Sequence, residues 1–327
     1  MPDKKFSLVA DVGGTNVRFA LVESGSTLLQ SQCTYLCVDH DSLVDAATHY
    51  LKQTGHSIGD VRSASLALAC PVNADSIQFT NNHWSFRKSE LAKALRLETV
   101  LFLNDFTAMA LGMIACNPQQ MIEVVAGHCE LSSPRVVVGP GTGLGFSALI
   151  PQGEHWTALA TEGGHVGFVP RDTTDVQIMQ ILMSKHNNRV SAERWLCGQG
   201  LYNLYQCLAQ LAGSPTSLNS PSEVSEQGIS GADPIATEAV SRFFAHLGAY
   251  CGDMVLAYGA RGGVYLCGGI LPRMVSALQT SQFAKHFLNK GRFSEFMANV
   301  PVHLCVDEQP GLKGAALALT GQHACLS

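Results

Sequence analysis

The chain opens with two short apolar segments, of which the second alternates between apolar and polar residues. They are FSLVADV (6–12) and NVRFALVE (16–23), and the second places Val17, Phe19 and Leu21 on one side. A period of two is typical of a β-strand with one buried face. The pattern therefore predicts two strands joined by the tight turn DVGGTN.

The rest of the apolar pattern predicts strands alternating with helices. In the first half we expect strands at residues 27–36, 63–70 and 99–103, and helices at 41–54, at 85–95 and from 105 onward. In the second half we expect strands at residues 135–141, 142–150, 155–161, 263–269 and 302–306, a helix at 234–258 and a last helix from about 311. Asp233 and Pro234 are typical N-cap and first-turn residues. The polar segment 213–233 predicts a surface excursion.

The two halves repeat the order of three strands, helix, strand and helix. Aligning the first glycine turn with the second places Gly14-Thr15 on Gly141-Thr142, and Phe19 on Phe146. The repeated order and the local match together predict a duplicated α/β domain. We expect two lobes whose glycine turns face a central cleft.

Composition narrows the class of protein. The chain has 327 residues, 46% of them hydrophobic and 14% charged, which is typical of a globular protein of about two domains. A net charge of −5 without a basic cluster argues against nucleic-acid binding. The 11 cysteines show no C-x-x-C pair, which predicts reduced thiols and a cytoplasmic location. We expect neither a signal peptide nor a membrane-spanning segment.

The stretch VLFLNDFTAMALG (100–112) carries an acidic residue where apolar character is otherwise continuous. Asp is unfavourable in a strand and costly to bury unpaired, so the presence of Asp105 at this position requires an explanation. One interpretation is a helix N-cap, and the other is a catalytic base.

Glycine-rich turns recur at strand ends. DVGGTN (11–16) and GPGTGLG (139–145) offer closely approachable backbone N–H groups that favour anions, although a plain hairpin also explains the first. Neither matches the dinucleotide fingerprint or a Walker A loop. Gly268-Gly269 and Gly311–Gly314 add two strand-to-helix turns.

Polar residues of the kind that bind sugar hydroxyls lie near these turns. TEGGHVGF contributes Glu162 and His165, SAERWLCGQG contributes Glu193, and TNNHW (80–84) contributes amides such as Asn81. Other interpretations stay open: a structural histidine, a capping box formed by Ser191 and Glu193, and an ordinary Asn-rich turn.

Eight blocks of this sequence resemble the bacterial-type glucokinases, of the hexokinase–actin ATPase fold, and occur in the same order. The blocks are LVADVGGTNVRFALVE, ACPV with TNNHW, LNDFTAMALG, VVGPGTGLGF, TEGGHVGF, SAERWLCGQGLYNLY, GGVYLCGGILPRM and PGLKGAALAL. They extend from about residue 6 to residue 320.

The resemblance implies a duplicated ribonuclease H-like fold and transfer of a phosphoryl group from ATP, with Mg²⁺, to the 6-hydroxyl of D-glucose. It implies a small domain of residues 1–115 plus 306–327 and a large domain of residues 116–305. Asp105 would be the base, and the sugar contacts would be Asn81, Asn104, Asp105, Glu162, His165 and Glu193. The ATP contacts would be Ala10, Asp11, Val12, Gly13, Gly14, Thr15, Asn16, Gly141, Thr142, Gly143, Gly268, Gly269 and Gly311, with Asp11 also orienting Mg²⁺ through water.

Relatives of this kind usually form homodimers, and the same is expected here, with a role in glycolysis. Ala10 departs from the glycine that the family often has. The segment after His165 lacks the cysteines of the zinc motif found in a related branch, so no structural zinc is expected. The alternatives are a kinase for mannose, fructose or an N-acetylhexosamine, and, more remotely, a sugar-sensing regulator.

Overall fold

The computed structural model describes residues 5–79, 81–321 and 323–326. Its strands are β1 (Phe6–Val12), β2 (Asn16–Glu23), β3 (Gln30–Leu36), β4 (Val61–Leu68), β5 (Ser76–Gln78), β6 (Ser85–Arg87), β7 (Thr99–Asn104), β8 (Met121–Val125), β9 (Arg135–Pro140), β10 (Leu144–Gln152), β11 (His155–Ala160), β12 (Val264–Leu266), β13 (Val302–Cys305) and β14 (Ala324–Leu326). Its helices are α1 (Leu43–Gln53), α2 (Lys88–Ala94), α3 (Asp105–Ala115), α4 (Thr173–Lys185), α5 (Gly198–Leu211), α6 (Pro221–Ser230), α7 (Pro234–Tyr258), α8 (Val275–Thr280), α9 (Phe283–Leu288), α10 (Ser294–Met297) and α11 (Pro310–Ala318).

The chain divides into two compact units. The first unit comprises the described residues up to Gln120, the segment Ser147–Thr161 and the described residues from Asp307 onward. The second comprises Met121–Phe146 and Glu162–Val306. The segment Ser147–Thr161 thus groups with the first unit, whereas the sequence assigned it to the large domain. Compactness does not define a folding domain, so the predicted domain boundaries stay a prediction.

The first unit is built on a mixed sheet with strand order β3-β2-β1-β4-β7. The tight turn after Val12, which the sequence DVGGTN predicted, makes β1 and β2 antiparallel. β4 and β7 run parallel to β1 because helices carry the chain back between them. All the parallel strands therefore end at one edge, where β1 meets the first glycine turn and β7 meets α3.

Successive residues of β1 and β2 face opposite sides of this sheet. One face buries Leu8, Ala10, Val12 and Phe19 against the aromatic ring of Tyr50 and its neighbours. The other face buries Val9, Ala20 and Val22 against α11. The sheet is therefore covered on both sides, which explains why β1 reads as an almost continuous apolar run.

Helices α3 and α11 cross at two glycines. A Cβ on Gly112 would lie 2.0 Å from the carbonyl oxygen of Pro310, and one on Gly314 would lie 1.7 Å from that of Ala108. Only glycine permits such an approach of two backbones. The crossing fixes the N-terminal end of α11, and with it Gly311, in the first unit.

The second unit contains strands in the order β9-β12-β13-β8. β9, β12 and β13 are parallel, and β8 is an antiparallel edge strand. Its longest helix, α7, has the predicted bounds, and the Asp233 carboxylate accepts hydrogen bonds from the N–H groups of Ile235 and Ala236. Among the described residues, no helix combines the length and the apolar character needed to cross a bilayer.

Two predicted elements differ from the structure. Ser85–Arg87 is not helical but pairs as a strand with Ser76–Gln78, so α2 begins only at Lys88. The segment 213–233 is not simply an excursion, because Ser220 caps a helix at Pro221–Ser230. β8 was not predicted. The pairing of β5 with β6 depends on a partner strand that local patterns do not reveal.

Candidate active site

Asn104 and Asp105 lie at the junction of β7 and α3. The N-cap of α3 is Asn104, whose Oδ1 accepts hydrogen bonds from the N–H groups of Phe106 (3.0 Å) and Thr107 (3.3 Å). Asp105 is the first helical residue, and its Oδ1 accepts from the N–H of Phe106 at 2.8 Å. The N-cap interpretation of Asp105 was therefore wrong by one residue. The positive end of the helix dipole still stabilises the ionised carboxylate.

The thiol of Cys70 lies close enough to Asp105 to sense its charge. Burial raises the pKa of Cys70 to about 11, and the negative charge of Asp105 acts in the same direction. Cys70 is therefore protonated at neutral pH and does not compete with the carboxylate for a proton.

The first glycine turn is a tight turn supported by the TNNHW segment. The N–H of Gly13 donates to the carbonyl oxygen of Asn16 at 2.9 Å, and the side-chain amide of Asn82 donates to the carbonyl oxygen of Gly13 at 3.2 Å. A Cβ on Gly14 would lie 3.0 Å from Asn81. TNNHW is thus packed on the turn rather than being an isolated Asn-rich loop; Thr80 lies outside the described residues.

Asp11 is paired with a residue that the sequence analysis did not single out. Its Oδ2 lies 3.2 Å from Nη1 of Arg18, the residue opposite it in the β1–β2 register. Burial raises the pKa of Asp11, while the charge and hydrogen bond of Arg18 act against that rise. Gly311 approaches the same carboxylate, since a Cβ there would lie 3.3 Å from Oδ2. The first turn and the start of α11 are therefore adjacent.

The remaining residues of the first turn differ in what they can offer a ligand. Ala10 is buried in mid-strand and paired to strands on both sides. The side chain of Val12 is likewise buried. The carbonyl oxygen of Thr15 accepts from the N–H of Cys37 at 2.8 Å, which fixes the turn against the segment after β3. Asn16 begins β2.

The second glycine turn is closed by its own backbone and abuts α5. The N–H of Gly141 donates to the carbonyl oxygen of Gly143 at 2.8 Å, and the N–H of Gly198 donates to that of Gly141 at 2.9 Å. Thr142 lies at the tip of this turn. Gly268 has a left-handed φ of 88°, and a Cβ there would lie 2.5 Å from the carbonyl oxygen of Pro140. Gly268-Gly269 is thus adjacent to the second turn.

Glu193 belongs to the same turn. Its Oε2 accepts a hydrogen bond from the N–H of Leu144 at 3.0 Å. Ser191 does occupy the N-cap position and Glu193 the first turn of a short 3-10 helix, Ala192–Arg194. Ser191 forms no side-chain capping hydrogen bond, however, so the two residues do not form a capping box. His165 lies between two carboxylates: Nδ1 is 4.0 Å from Oε1 of Glu193, and Nε2 is 3.8 Å from Oε2 of Glu162. The three side chains form one polar cluster.

An aromatic stack supports the two segments that carry this cluster. The rings of Phe168 and Trp195 lie 3.8 Å apart and nearly parallel, with an interplanar angle of 8°. The imidazole of His246 contacts both rings at 4.9 Å. The carbonyl oxygen of Val166 also accepts from the N–H of Ala192 at 2.9 Å, so the two segments are held together by backbone as well as by side chains.

A buried ionic cluster lies behind the stack. Asp175, which is 1% exposed, accepts from Nη1 of Arg242 at 2.6 Å and lies 2.9 Å from Nε2 of His246. Burial would raise the pKa of Asp175, but the hydrogen bond and charge of His246 and the charge of Arg242 hold it below its usual value. The carboxylate is therefore ionised across the neutral range.

The sequence did not reveal these supporting residues. Arg18 follows from the hairpin register once β1 and β2 are aligned, and Asn82 lies within a motif already noted. Asp175 and His246 come from two helices far apart in the sequence, and no local pattern connects them.

The chain is similar to known proteins over nearly its whole length. The family model for glucokinase matches residues 8–322. The glucokinase of Hahella chejuensis (strain KCTC 2396) is 40% identical over 322 residues, covering 98% of this chain and 99% of the relative. The crystal structure of a glucokinase from an Antarctic psychrotroph is 32% identical, with a TM-score of 0.86 and coverage of 98% and 100%.

A more distant structure shares the fold. The ROK-family glucokinase of Streptomyces griseus, solved in complex with glucose and AMPPNP, is 18% identical and has a TM-score of 0.64, covering 96% of this chain and 98% of that one. The mixed α/β sheets are therefore those of the sugar-kinase fold. The family match and the 40% identical relative, each extending over nearly the whole chain, show that the chain belongs to the glucokinase family.

Proposed function

We propose that the chain transfers the γ-phosphoryl group of ATP to the 6-hydroxyl of D-glucose, with Asp105 as the general base. Its class, a glucose-phosphorylating kinase, follows from its family. The observation that carries the assignment of residues is the hydrogen bond from Leu144 N–H to Glu193, which joins a candidate sugar-binding carboxylate to a candidate phosphate turn.

Asp105 has the properties of a proton acceptor. Its Oδ1 accepts from a backbone N–H at the first turn of α3, which favours the ionised form. The same dipole lowers its basicity, so it accepts the proton late, as the hydroxyl becomes acidic on bonding to phosphorus. Phosphoryl transfer otherwise demands positioning and charge stabilisation from the protein.

The sugar would be bound by amides and carboxylates. We assign this role to Asn81, Asn104, Glu162, His165 and Glu193, together with Asp105. The imidazole of His165 lies within 4.0 Å of both glutamates, so its position depends on them. A partly buried carboxylate such as Glu193, which is 25% exposed, rejects a ligand that lacks the matching hydroxyl.

The phosphates of ATP would be bound by the two glycine turns. The contacts we assign are Asp11, Val12, Gly13, Gly14, Thr15, Asn16, Gly141, Thr142, Gly143, Gly268, Gly269 and Gly311. Ala10 belongs to the same proposed set. Like Val12, it is buried and paired to β2 and β4, so both would act through the backbone that leads into the turn. Closely spaced backbone N–H groups neutralise phosphate oxygens without adding side chains to the site.

Mg²⁺ would be held through water by Asp11. The ion commonly retains several waters and binds one or two carboxylates plus the substrate phosphates, so a single carboxylate beside the first turn fits it. Arg18 contacts only Oδ2 of that carboxylate at 3.2 Å. The bound ion would neutralise phosphate charge, and Asp11 would orient its water shell.

The remaining assignments concern the fold and its cellular setting. We infer a duplicated ribonuclease H-like fold, because three successive strands followed by helices and two further strands occur in both halves, with β1, β4 and β7 parallel like β9, β12 and β13. A homodimer acting in cytoplasmic glycolysis follows from the family resemblance.

A panel of sugars tests the function. ADP release with ATP and Mg²⁺ should be fast with D-glucose and at least about tenfold lower in kcat/KM with D-mannose, D-fructose and N-acetyl-D-glucosamine, because mismatched hydroxyls leave the carboxylates unpaired. Equal kcat/KM for fructose and glucose would refute the assigned specificity. A higher kcat/KM for mannose, fructose or the N-acetylhexosamine would favour the alternative, a kinase for that other hexose.

A further inference from the structure

A basic cavity lies beside His165 in the second unit. It has a volume of about 400 Å³ and is lined by His165 and by Lys185, His186, Asn187, Arg189, Ser191 and Arg194. Four of these side chains are basic in addition to His165. The cavity is therefore mainly basic, whereas the neighbouring cluster of Glu162 and Glu193 is acidic.

The lysine and the two arginines that line this cavity have no acidic partner in the part of the chain that the structure describes. Within residues 5–79, 81–321 and 323–326, no acidic group forms an ion pair with Lys185, Arg189 or Arg194. The two glutamates beside His165, Glu162 and Glu193, contact the imidazole of His165, and Glu193 also accepts from the N–H of Leu144. Unpaired cations collected in one concavity of a protein with a net charge of −5 favour an anionic ligand.

The backbone brings the cations together. After α4 ends at Lys185, Asn187 and Asn188 adopt left-handed φ angles of 49° and 59°, which asparagine tolerates better than most residues. The chain then reverses so that Nη2 of Arg189 donates to the carbonyl oxygen of His165 at 2.6 Å. A ligand held by Arg189 would therefore also restrain the backbone of His165.

A plain explanation accounts for only part of the cluster. Basic residues are favourable at a helix C-terminus, which explains Lys185 and His186 at the end of α4. It does not explain Arg189, which lies beyond the turn, or Arg194, which lies in the segment that carries Glu193. Burial, followed by the charges of Arg194 and Lys185, lowers the pKa of His186, so the two cations act on a common space.

We propose that this cavity binds a phosphate group, free or as a phosphomonoester on a small molecule, and that the bound phosphate restrains the His165 segment. Arginine guanidinium groups match the geometry of phosphate oxygens, and lysine adds a point charge. Phosphate binding itself does not depend on the function proposed above. Its effect on sugar affinity does, because that effect requires His165 to contact the sugar.

Calorimetric titration with inorganic phosphate at low ionic strength tests the site. ADP is present at saturation, so that the glycine turns are occupied. The wild type should bind phosphate saturably, and the double variant Lys185→Gln/Arg194→Gln should bind it at least about tenfold more weakly, since it loses two charge-assisted contacts. The control Lys285→Gln removes a lysine charge from α9, outside the cavity. It should change the Kd for phosphate by less than about twofold.

Two sources of the phosphate are then distinguished with the same variants. Tighter binding of D-glucose 6-phosphate than of inorganic phosphate, lost in the double variant, identifies a sugar phosphate as the ligand. Equal Kd values identify free phosphate. Absence of saturable binding, or equal weakening by Lys285→Gln, overturns the proposal.

The coupling is measured separately, as glucose affinity with and without phosphate. The wild type should bind glucose more tightly when phosphate is present, and the double variant should not respond. If the wild type binds phosphate but no glucose, the proposed function fails while the anion site stands. If glucose affinity is independent of phosphate, the restraint on His165 is refuted.

Discussion

The N–H of Leu144 donates to Oε2 of Glu193 over 3.0 Å, and this bond joins the second glycine turn to the polar cluster around His165. Gly143 is what permits the approach, because a Cβ there would lie 2.5 Å from the same oxygen. The turn proposed for phosphate and the carboxylate proposed for sugar are therefore one structural unit. A change in the turn should therefore alter the binding of the sugar.

Gly143→Ala should displace Glu193 from the N–H of Leu144. We expect the KM for glucose to rise about tenfold, because a hydrogen bond to a charged group contributes roughly 1.5–3 kcal/mol. Steady-state kinetics with each substrate varied in turn measures the effect. Gly167→Ala is the matched control, since its added Cβ meets nothing within 4 Å. If Gly143→Ala raised only the KM for ATP, Glu193 would not be a sugar contact.

Asp105→Asn should lower kcat by about three orders of magnitude while leaving glucose bound, because general-base catalysis contributes about 10²–10⁴ and the amide retains a hydrogen-bonding oxygen. Turnover and equilibrium glucose binding are measured on the same preparation. Asp39→Asn, an exposed change in the same unit, should leave both intact. Near-normal turnover of Asp105→Asn would show that another group accepts the proton.

The ionic cluster behind the Phe168–Trp195 stack should appear in the pH dependence of stability. Because folding lowers the pKa of Asp175 from its ordinary 3.8, its contribution is complete above that pH and is lost as the pH falls through the lowered value. Asp175→Asn should reduce the free energy of unfolding at pH 7 by about 3 kcal/mol, since it breaks a buried ion pair. The difference from wild type should persist at pH 5 and shrink below about pH 4.

Urea unfolding at several pH values measures this difference. Glu238→Gln is a suitable control, because Glu238 also bonds Arg242, at 2.8 Å, but is 49% exposed. Its loss should change stability by only about 0.5 kcal/mol. A difference between Asp175→Asn and wild type that grew below pH 4 would contradict the assignment.

The secondary-structure elements that could be predicted from the sequence are those whose signals lie within a few consecutive residues. For this reason the apolar run of β1, the alternation in β2, and the apolar stripe and cap of α7 predicted those elements correctly. The strand β6 at Ser85–Arg87 was missed because its three residues gain order only by pairing with Ser76–Gln78. Local propensity cannot anticipate such a partner.

The same distinction applies to the candidate site. Motifs located Asp105, Glu193 and both glycine turns, because each lies within a few residues of its own strand or helix end. The Asp175–His246 pair was invisible because its two residues meet only through the packing of α4 and α7. The cap of α3 was misassigned by one residue, since Asn and Asp are almost equally good N-caps and the pattern does not decide between Asn104 and Asp105.

Asn104 therefore has two roles, as the N-cap of α3 and as a proposed sugar contact, and they can be tested separately. Its Oδ1 caps α3, while the proposed sugar contact would use its amide N–H group. Asn104→Ser retains a capping oxygen and should keep stability within about 0.5 kcal/mol, whereas Asn104→Ala should lose about 1 kcal/mol. Thermal unfolding separates the two variants.

Glucose binding should not follow the same order. Both variants lack the amide, so both should raise the Kd for glucose by about tenfold, the loss expected when a hydrogen bond of roughly 1.5 kcal/mol is removed. If Asn104→Ser bound glucose like the wild type while Asn104→Ala did not, the residue would act only by capping α3. The sugar contact would then have to be assigned to another side chain. Asn104 would position Asp105 by capping α3 and would take no part in binding glucose.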